Sequence, residues 1–215
     1  MPHDSFDFTA FESEVTGRIV RGMGTGGDAQ KIAAVMAGVV AFVEAALEGE
    51  LDGAERTLMA CGPGCATCCV VNVTVLFPEA VAIAAYLRTA MDAEEREELA
   101  AAIEGTAGMV RWMDDAERIR RHIPCPFLDR SGRCRIHPVR PLTCRAVTST
   151  NPGACRRALD AVAGGDDEGE PLLMNLFQKF LLETAFRGVA KGLARRGLDD
   201  RGGELTQSMA ELLRG

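Results

Sequence analysis

Residues 61–69 read CGPGCATCC and residues 125–145 read CPFLDRSGRCRIHPVRPLTCR; with Cys155 they contain all eight cysteines of the 215-residue chain. Cysteines placed for packing alone scatter along a sequence. Thiols gathered into two blocks with helical sequence between them form the pattern expected of two halves of one soft-metal site, closed when the fold brings them together. The rival is a disulfide framework, which needs an oxidising compartment and usually a chain too small to bury a core. Residues 1–15, MPHDSFDFTAFESEV, carry acids where a secretory leader is basic and then apolar. With 47% hydrophobic residues the chain can bury an ordinary core. The expectation is a cytoplasmic protein whose cysteines bind metal. The longest apolar stretch, residues 32–43, is read as a buried helix too short to span a bilayer, so no membrane segment is expected.

Outward from the two blocks the sequence is helical. After Asp28, an N-cap residue, AQKIAAVMAGVVAFVEAAL has apolar residues at helical spacing and ends near Gly49. Residues 51–59 read as a second helix, VVNVTVLF as an extended segment, and Pro78 as the opening of a helix through residue 91. Asp92 and Glu95 form a capping box for a helix expected to continue to Arg121. Residues 125–137 read as a β-hairpin with Cys125 and Cys134 on neighbouring strands. Pro138 and Pro141 break regular structure before Cys144, and Asn151-Pro152 starts a helix carrying Cys155. Residues 171–196 and 204–214 read as amphipathic helices whose Leu, Met and Phe side chains are core, and GGDDEGE (164–170) as a solvated loop. The predicted fold is mainly α: a single helical domain over residues 1–215, with a cysteine-rich irregular core at about 58–158 and one short β-hairpin.

Thiolates are soft donors suited to iron–sulfur clusters and zinc. Cys61, Cys65, Cys68, Cys69, Cys125, Cys134, Cys144 and Cys155 are therefore the metal-site candidates. Cys65 and Cys68 form a C-x-x-C pair. Vicinal Cys68 and Cys69 are expected to point apart, because adjacent side chains diverge on both helices and strands.

CATCC, FPEAVAIAAYL and above all CPFLDRSGRCRIHPVRPLTCR resemble the YkgJ-like cysteine-cluster family, a zinc- or iron-chelating domain of CxxCxxCC type. The resemblance covers residues 61–145 and implies metal-site roles for Cys65, Cys68, Cys69, Cys125, Cys134 and Cys144. The first family cysteine would fall at Gly62, with Cys61 one residue early, and Cys155 lies beyond the shared pattern. Some relatives couple such a domain to methylation of a protein lysine, which implies metal-dependent group transfer as an alternative to a redox, metal-handling or sensing role. A structural zinc module for protein interaction is the third reading.

The chain carries a net charge of −7, yet residues 111–157 hold eleven arginines against four acids. Arginines beside thiolates neutralise an anionic centre and raise its potential. Arg140 and Arg145, which bracket Cys144, are the cofactor-binding candidates, followed by Arg133 and Arg135. Global acidity and the lack of interleaved aromatics argue against nucleic acid, leaving a protein or an anionic small molecule as partner. His137 reads as packing more than ligation, and His3 and His122 form no constellation. Cys61, Cys65 and Cys68 match the C-x3-C-x2-C spacing of radical S-adenosylmethionine enzymes, but Thr67 replaces the usual aromatic and no repeating β/α units follow. Gly22, Gly24, Gly26 and Gly27 resemble a phosphate loop without the strand or the Gly-Lys-Ser/Thr that would make one. The favoured cofactor is an iron–sulfur cluster, with zinc second.

Overall fold

Short polar side chains start most of the helices. Asp7, Asp28, Asp52, Asp92, Asp114, Asn151 and Asn175 each accept a hydrogen bond from a first-turn amide, satisfying a donor that the helix itself leaves open. In the computed structural model, residues 6–24, 28–166 and 171–214 are described. They form α1 (Phe8–Gly22), α2 (Ala29–Glu50), α3 (Gly53–Leu58), β1 (Thr74–Val75), α4 (Phe77–Ala90), α5 (Ala93–Val110), α6 (Asp115–Arg120), α7 (Leu142–Ala146), α8 (Pro152–Ala163), α9 (Leu176–Arg195), β2 (Gly203–Glu204) and α10 (Leu205–Arg214). Gly26, Gly27 and part of the GGDDEGE stretch lie outside the described residues.

Two apolar clusters share α4 as a common wall. One joins α1, α2 and α9 through Val15, Ile19, Met36, Val39, Leu181 and Val189; the other joins α4, α5 and α10 through Ile83, Leu87, Ile103 and Met209. The first requires close approach of α1 and α9. A Cβ on Gly192 would lie 2.5 Å from the Ile19 Cβ, and one on Gly188 would lie 2.9 Å from the Val15 Cβ. The Thr16 hydroxyl also donates to the Gly188 carbonyl at 3.1 Å. Sequence reading had not anticipated α1, although Phe11, Val15 and Ile19 recur at helical spacing after Asp7.

Several expectations change. The helix expected to reach Arg121 is two helices, because Asp114 caps α6 and the chain turns at residues 111–114. The expected hairpin at 125–137 reduces to a tight turn with a single bridge, Leu128 opposite Cys134. The two-stranded ladder instead joins β1 to β2, Thr74 opposite Glu204 and Val75 opposite Gly203, a pairing across the length of the chain. The last long helix starts at Leu176 instead of residue 171. Finally, α2 has 22 residues and mean hydropathy 1.8 in its most apolar window, so it is long and apolar enough to cross a membrane. The apolar stretch at residues 32–43 is the middle of this longer helix, and it is buried along one stripe, Ile32, Met36, Val39 and Val43, which packs in the first apolar cluster.

Gly192→Ala should destabilise the chain by about 1–3 kcal/mol, because the new methyl must displace Ile19 in a packed helix crossing. Thermal unfolding monitored by circular dichroism checks this; an unchanged midpoint would contradict the α1–α9 contact.

Candidate metal centre

The two cysteine blocks meet through the backbone. Cys125 N–H donates to the Cys69 carbonyl at 2.7 Å. The first block is a succession of tight turns, with Cys65 N–H donating to Gly62 O and Cys69 N–H to Ala66 O, each at 3.0 Å, while Gly64 takes φ +91°. The second block turns at Gly132, φ +76°. There Asp129 Oδ1 accepts from the Ser131 and Arg133 amides at 2.8 and 2.9 Å and from the Ser131 hydroxyl at 2.7 Å. Phe127 is fully buried and anchors this turn in the second apolar cluster.

A buried arginine fixes the first block against α6. Arg118, whose side chain is 2% exposed, donates from Nε to the Ile123 carbonyl at 3.2 Å and from Nη1 to Asn72 Oδ1 at 3.1 Å and Glu204 Oε1 at 3.2 Å. Asn72 continues the network, its amide donating to Asp115 Oδ1 at 2.7 Å and its Nδ2 to the Met113 carbonyl at 3.0 Å. Glu204 Oε2 receives the Thr206 and Gln207 amides at 2.8 and 3.0 Å. The chain just after Cys69, the chain just before Cys125 and the start of α10 are thus tied to one guanidinium.

A buried carboxylate fixes Cys144, which lies on α7. Glu79 accepts from Leu76 N–H and from Leu142 N–H, each at 2.9 Å, so it closes the N-termini of α4 and α7 together. Burial pushes its pKa up to about 7 against the opposing pull of those two amides and of Arg145. The Thr143 hydroxyl adds a bond to the Thr74 carbonyl at 2.8 Å.

Cys65, Cys68, Cys69, Cys125, Cys134 and Cys144 line one cavity of about 150 Å³, together with His137 and Arg140. All eight cysteines are free. Cys68 and Cys69, expected to point apart, both line the cavity. Residues 66–69 are a turn, so the divergence typical of helix and strand does not apply. The Cys69 thiol's hydrogen bond holds Cys68 at about 6, below the ordinary thiol range, with the Cys68 amide and Arg140 helping against burial. Burial pushes Cys125 up to about 11 and Cys144 up to about 12. These thiols resist ionisation unless a cation supplies the compensating charge. Among the described residues, no three Cys, His, Asp or Glu side chains already converge on a single metal position. The fold therefore gathers the sulfurs around a cavity without closing a coordination sphere.

Cys61 and Cys155 do not line this cavity. The Cys61 sulfur accepts from the Ser149 amide at 3.2 Å, and Ala60 N–H donates to the Ser149 carbonyl at 2.8 Å. Cys61 lies in the electrostatic range of Cys65 and Cys68 at the cavity and of Cys155, the other thiol outside it. The two arginine candidates also separate. Arg140 borders the cavity, acts electrostatically on Cys68, Cys134 and Cys144, and has a buried Nε without an acceptor. Arg145 instead clamps the loop, donating to the Arg140 and Pro138 carbonyls at 2.9 and 2.7 Å and pairing with Glu44 at 2.7 Å.

Sequence reading missed Glu79, Asn72 and Arg118. The LFPE run carried a signal for the reach-back of Glu79 to Leu76, but nothing local marked its bond to Leu142 or the convergence on Arg118.

Two variants test this framework. A raised carboxyl pKa contributes stability that is complete below the unfolded value of about 4.5 and is lost as pH rises through about 7. Wild type should therefore lose up to about 3 kcal/mol relative to Glu79→Gln over that interval, a difference that denaturant melts at several pH values would resolve. A pH-independent gap would remove the buried acid from the account. Arg118→Met leaves Glu204 without its partner and should cost about 3–5 kcal/mol, with disordering of the first cysteine block visible by hydrogen exchange.

The comparisons agree with the composition of this cavity. A family model, CxxCxxCC, described as "Putative zinc- or iron-chelating domain", matches residues 60–163. No curated protein and no solved structure matches the chain. The matched segment, just under half of the chain, contains all eight cysteines, both arginine candidates and the turns that bring the blocks together, so residues 60–163 match the zinc- or iron-chelating CxxCxxCC domain.

Proposed function

We propose that this chain holds a thiolate-bound metal centre, an iron–sulfur cluster ahead of zinc, and uses it for redox chemistry, metal handling or sensing. The observation that carries the reading is one cavity lined by six cysteines from both sequence blocks, bordered by Arg140. Six thiols exceed the four of a tetrahedral zinc site, which favours a polynuclear centre. At about 150 Å³ the cavity is smaller than the ~300–1,000 Å³ of small-molecule pockets, which favours a metal centre over a substrate chamber for group transfer. Cys65, Cys68, Cys69, Cys125, Cys134 and Cys144 are the proposed ligand pool, from which a cluster takes four. A bound cluster would supply one-electron chemistry. Arg140 would offset its negative charge and raise its potential, while the turns hold the sulfurs and limit water. A reducing compartment, the cytoplasm, suits free thiols in this role.

Anaerobic purification with iron, acid-labile sulfide and zinc analysis tests the reading. Iron and sulfide in comparable amounts are expected; stoichiometric zinc without sulfide would replace the redox proposal with a zinc centre. Cys134→Ser and Cys144→Ser should lower metal content severalfold, and Cys155→Ser should retain most of it. Arg140→Gln should keep the metal and lower the potential, whereas Arg145→Gln should act through stability. Equal effects of Cys155→Ser and Cys134→Ser would extend the centre to the thiols outside the cavity.

A further inference from the structure

A second cavity among the described residues is larger than the cysteine site. A groove of about 660 Å³ runs between α2 and α4, within the usual size of a ligand pocket. Its walls are small and apolar, with Ala33, Ala37 and Val40 on α2 facing Ala82 and Ala85 on α4. This is the side of α2 that the protein core leaves uncovered, since Ala37 and Ala41 are exposed while the buried stripe faces the interior. The polar groups in the groove are unevenly satisfied. Glu44 is paired with Arg145, and Glu79 accepts two amides in the interior, so neither acid remains to meet a cation. Two cations, Arg88 and Arg140, have no carboxylate partner among the described residues, and the Arg140 Nε is buried without an acceptor.

An apolar trough with satisfied acids and unpartnered guanidinium groups complements one class of ligand. We infer that the α2–α4 groove binds an apolar-tailed carboxylate, a fatty-acid-like amphiphile, with its tail along the alanine walls and its carboxylate on Arg140. A guanidinium presents five donors in a plane and pairs carboxylates in a bidentate manner, so the missing acceptor is of the kind such a ligand brings. The alanines matter because any larger side chain at these positions would fill the trough. Arg140 borders both the groove and the cysteine cavity. Occupancy of the groove would therefore be felt at the cysteine site, because the carboxylate offsets the field of a shared guanidinium, and by linkage the charge of the cysteine site acts back on binding.

The test uses the whole chain as purified, with cis-parinaric acid as the fluorescent probe and decanoate or decanol as competitor. Decanoate should displace the probe at least about tenfold more effectively than decanol, which has the same tail without the charge. Arg140→Gln should erase that preference while leaving decanol unaffected. Ala37→Phe, at an exposed position remote from the cysteines, should block both competitors with helix content and metal content unchanged. The inference is overturned if the probe does not bind, if decanoate and decanol compete equally in wild type, or if both variants bind as wild type does. It is also overturned if Ala37→Phe instead abolishes a dimer seen by sedimentation, or abolishes binding to phosphatidylglycerol vesicles in the absence of probe uptake. Those two results would give the groove to a second copy of the chain or to a lipid surface.

Discussion

Burial of a single guanidinium organises the centre of this protein. Arg118 has left water almost completely, and a buried charge is tolerated only when its donors are matched in detail. The partners that match it come from the segment after Cys69, the segment before Cys125 and the start of the last helix. Those are the segments that must meet for the cysteine blocks to share a cavity. The cost of an unmatched charge thus makes the approach of the blocks a condition of folding, in place of leaving it to the metal alone. The backbone bond from Cys125 to Cys69 lies where that requirement draws the chain together.

Regular structure supplies rigidity around a centre built mostly from turns. Turns place consecutive sulfurs on one side of the chain, as the shared cavity of Cys68 and Cys69 shows, which neither a helix nor a strand allows. Turns hold their shape when their open polar groups are bonded, and several here have identifiable partners. Asp129 gathers the amides of its own loop, Ser149 holds Cys61, and Glu79 serves the α7 end that carries Cys144. The α4 helix connects this arrangement to both apolar clusters, so packing on either side of it bears on the same cavity.

The helical class and the cysteine-rich centre were legible in the sequence because both are local. Asp28, Asp92 and Asn151 mark helix starts through bonds to residues two or three positions away, and the structure places caps at all three. What sequence reading lost was long-range or competitive. Asp114 resembles any polar residue of a helix until its cap interrupts the run toward Arg121. VVNVTVLF has strand composition, but only Thr74 and Val75 find a partner, and that partner is Gly203-Glu204 at the far end of the chain. Arg140, four residues before Cys144, and Arg145, one residue after it, carried equal weight in the sequence. They part because Arg145 is consumed by two carbonyls and Glu44, whereas Arg140 borders the thiols.

The electrostatics of the cavity explain why that difference matters. Cys125 and Cys144 are pushed toward the protonated form by burial, and each further thiolate repels those already present. Cys68, helped by the Cys69 thiol and by Arg140, is instead drawn toward ionisation. One guanidinium cannot compensate several thiolates in a space of this size, so Cys125 and Cys144 hold their protons while Cys68 gives its own up more readily. A soft cation changes the balance at every sulfur together, because it binds the deprotonated form and releases the protons that burial had retained. The same burial that opposes charge on isolated thiols strengthens the attraction between metal and thiolate once both are present. The preference for a soft cation over isolated thiolates follows from the desolvation of the sulfurs, and Arg140 adjusts the charge that remains after the cation is bound.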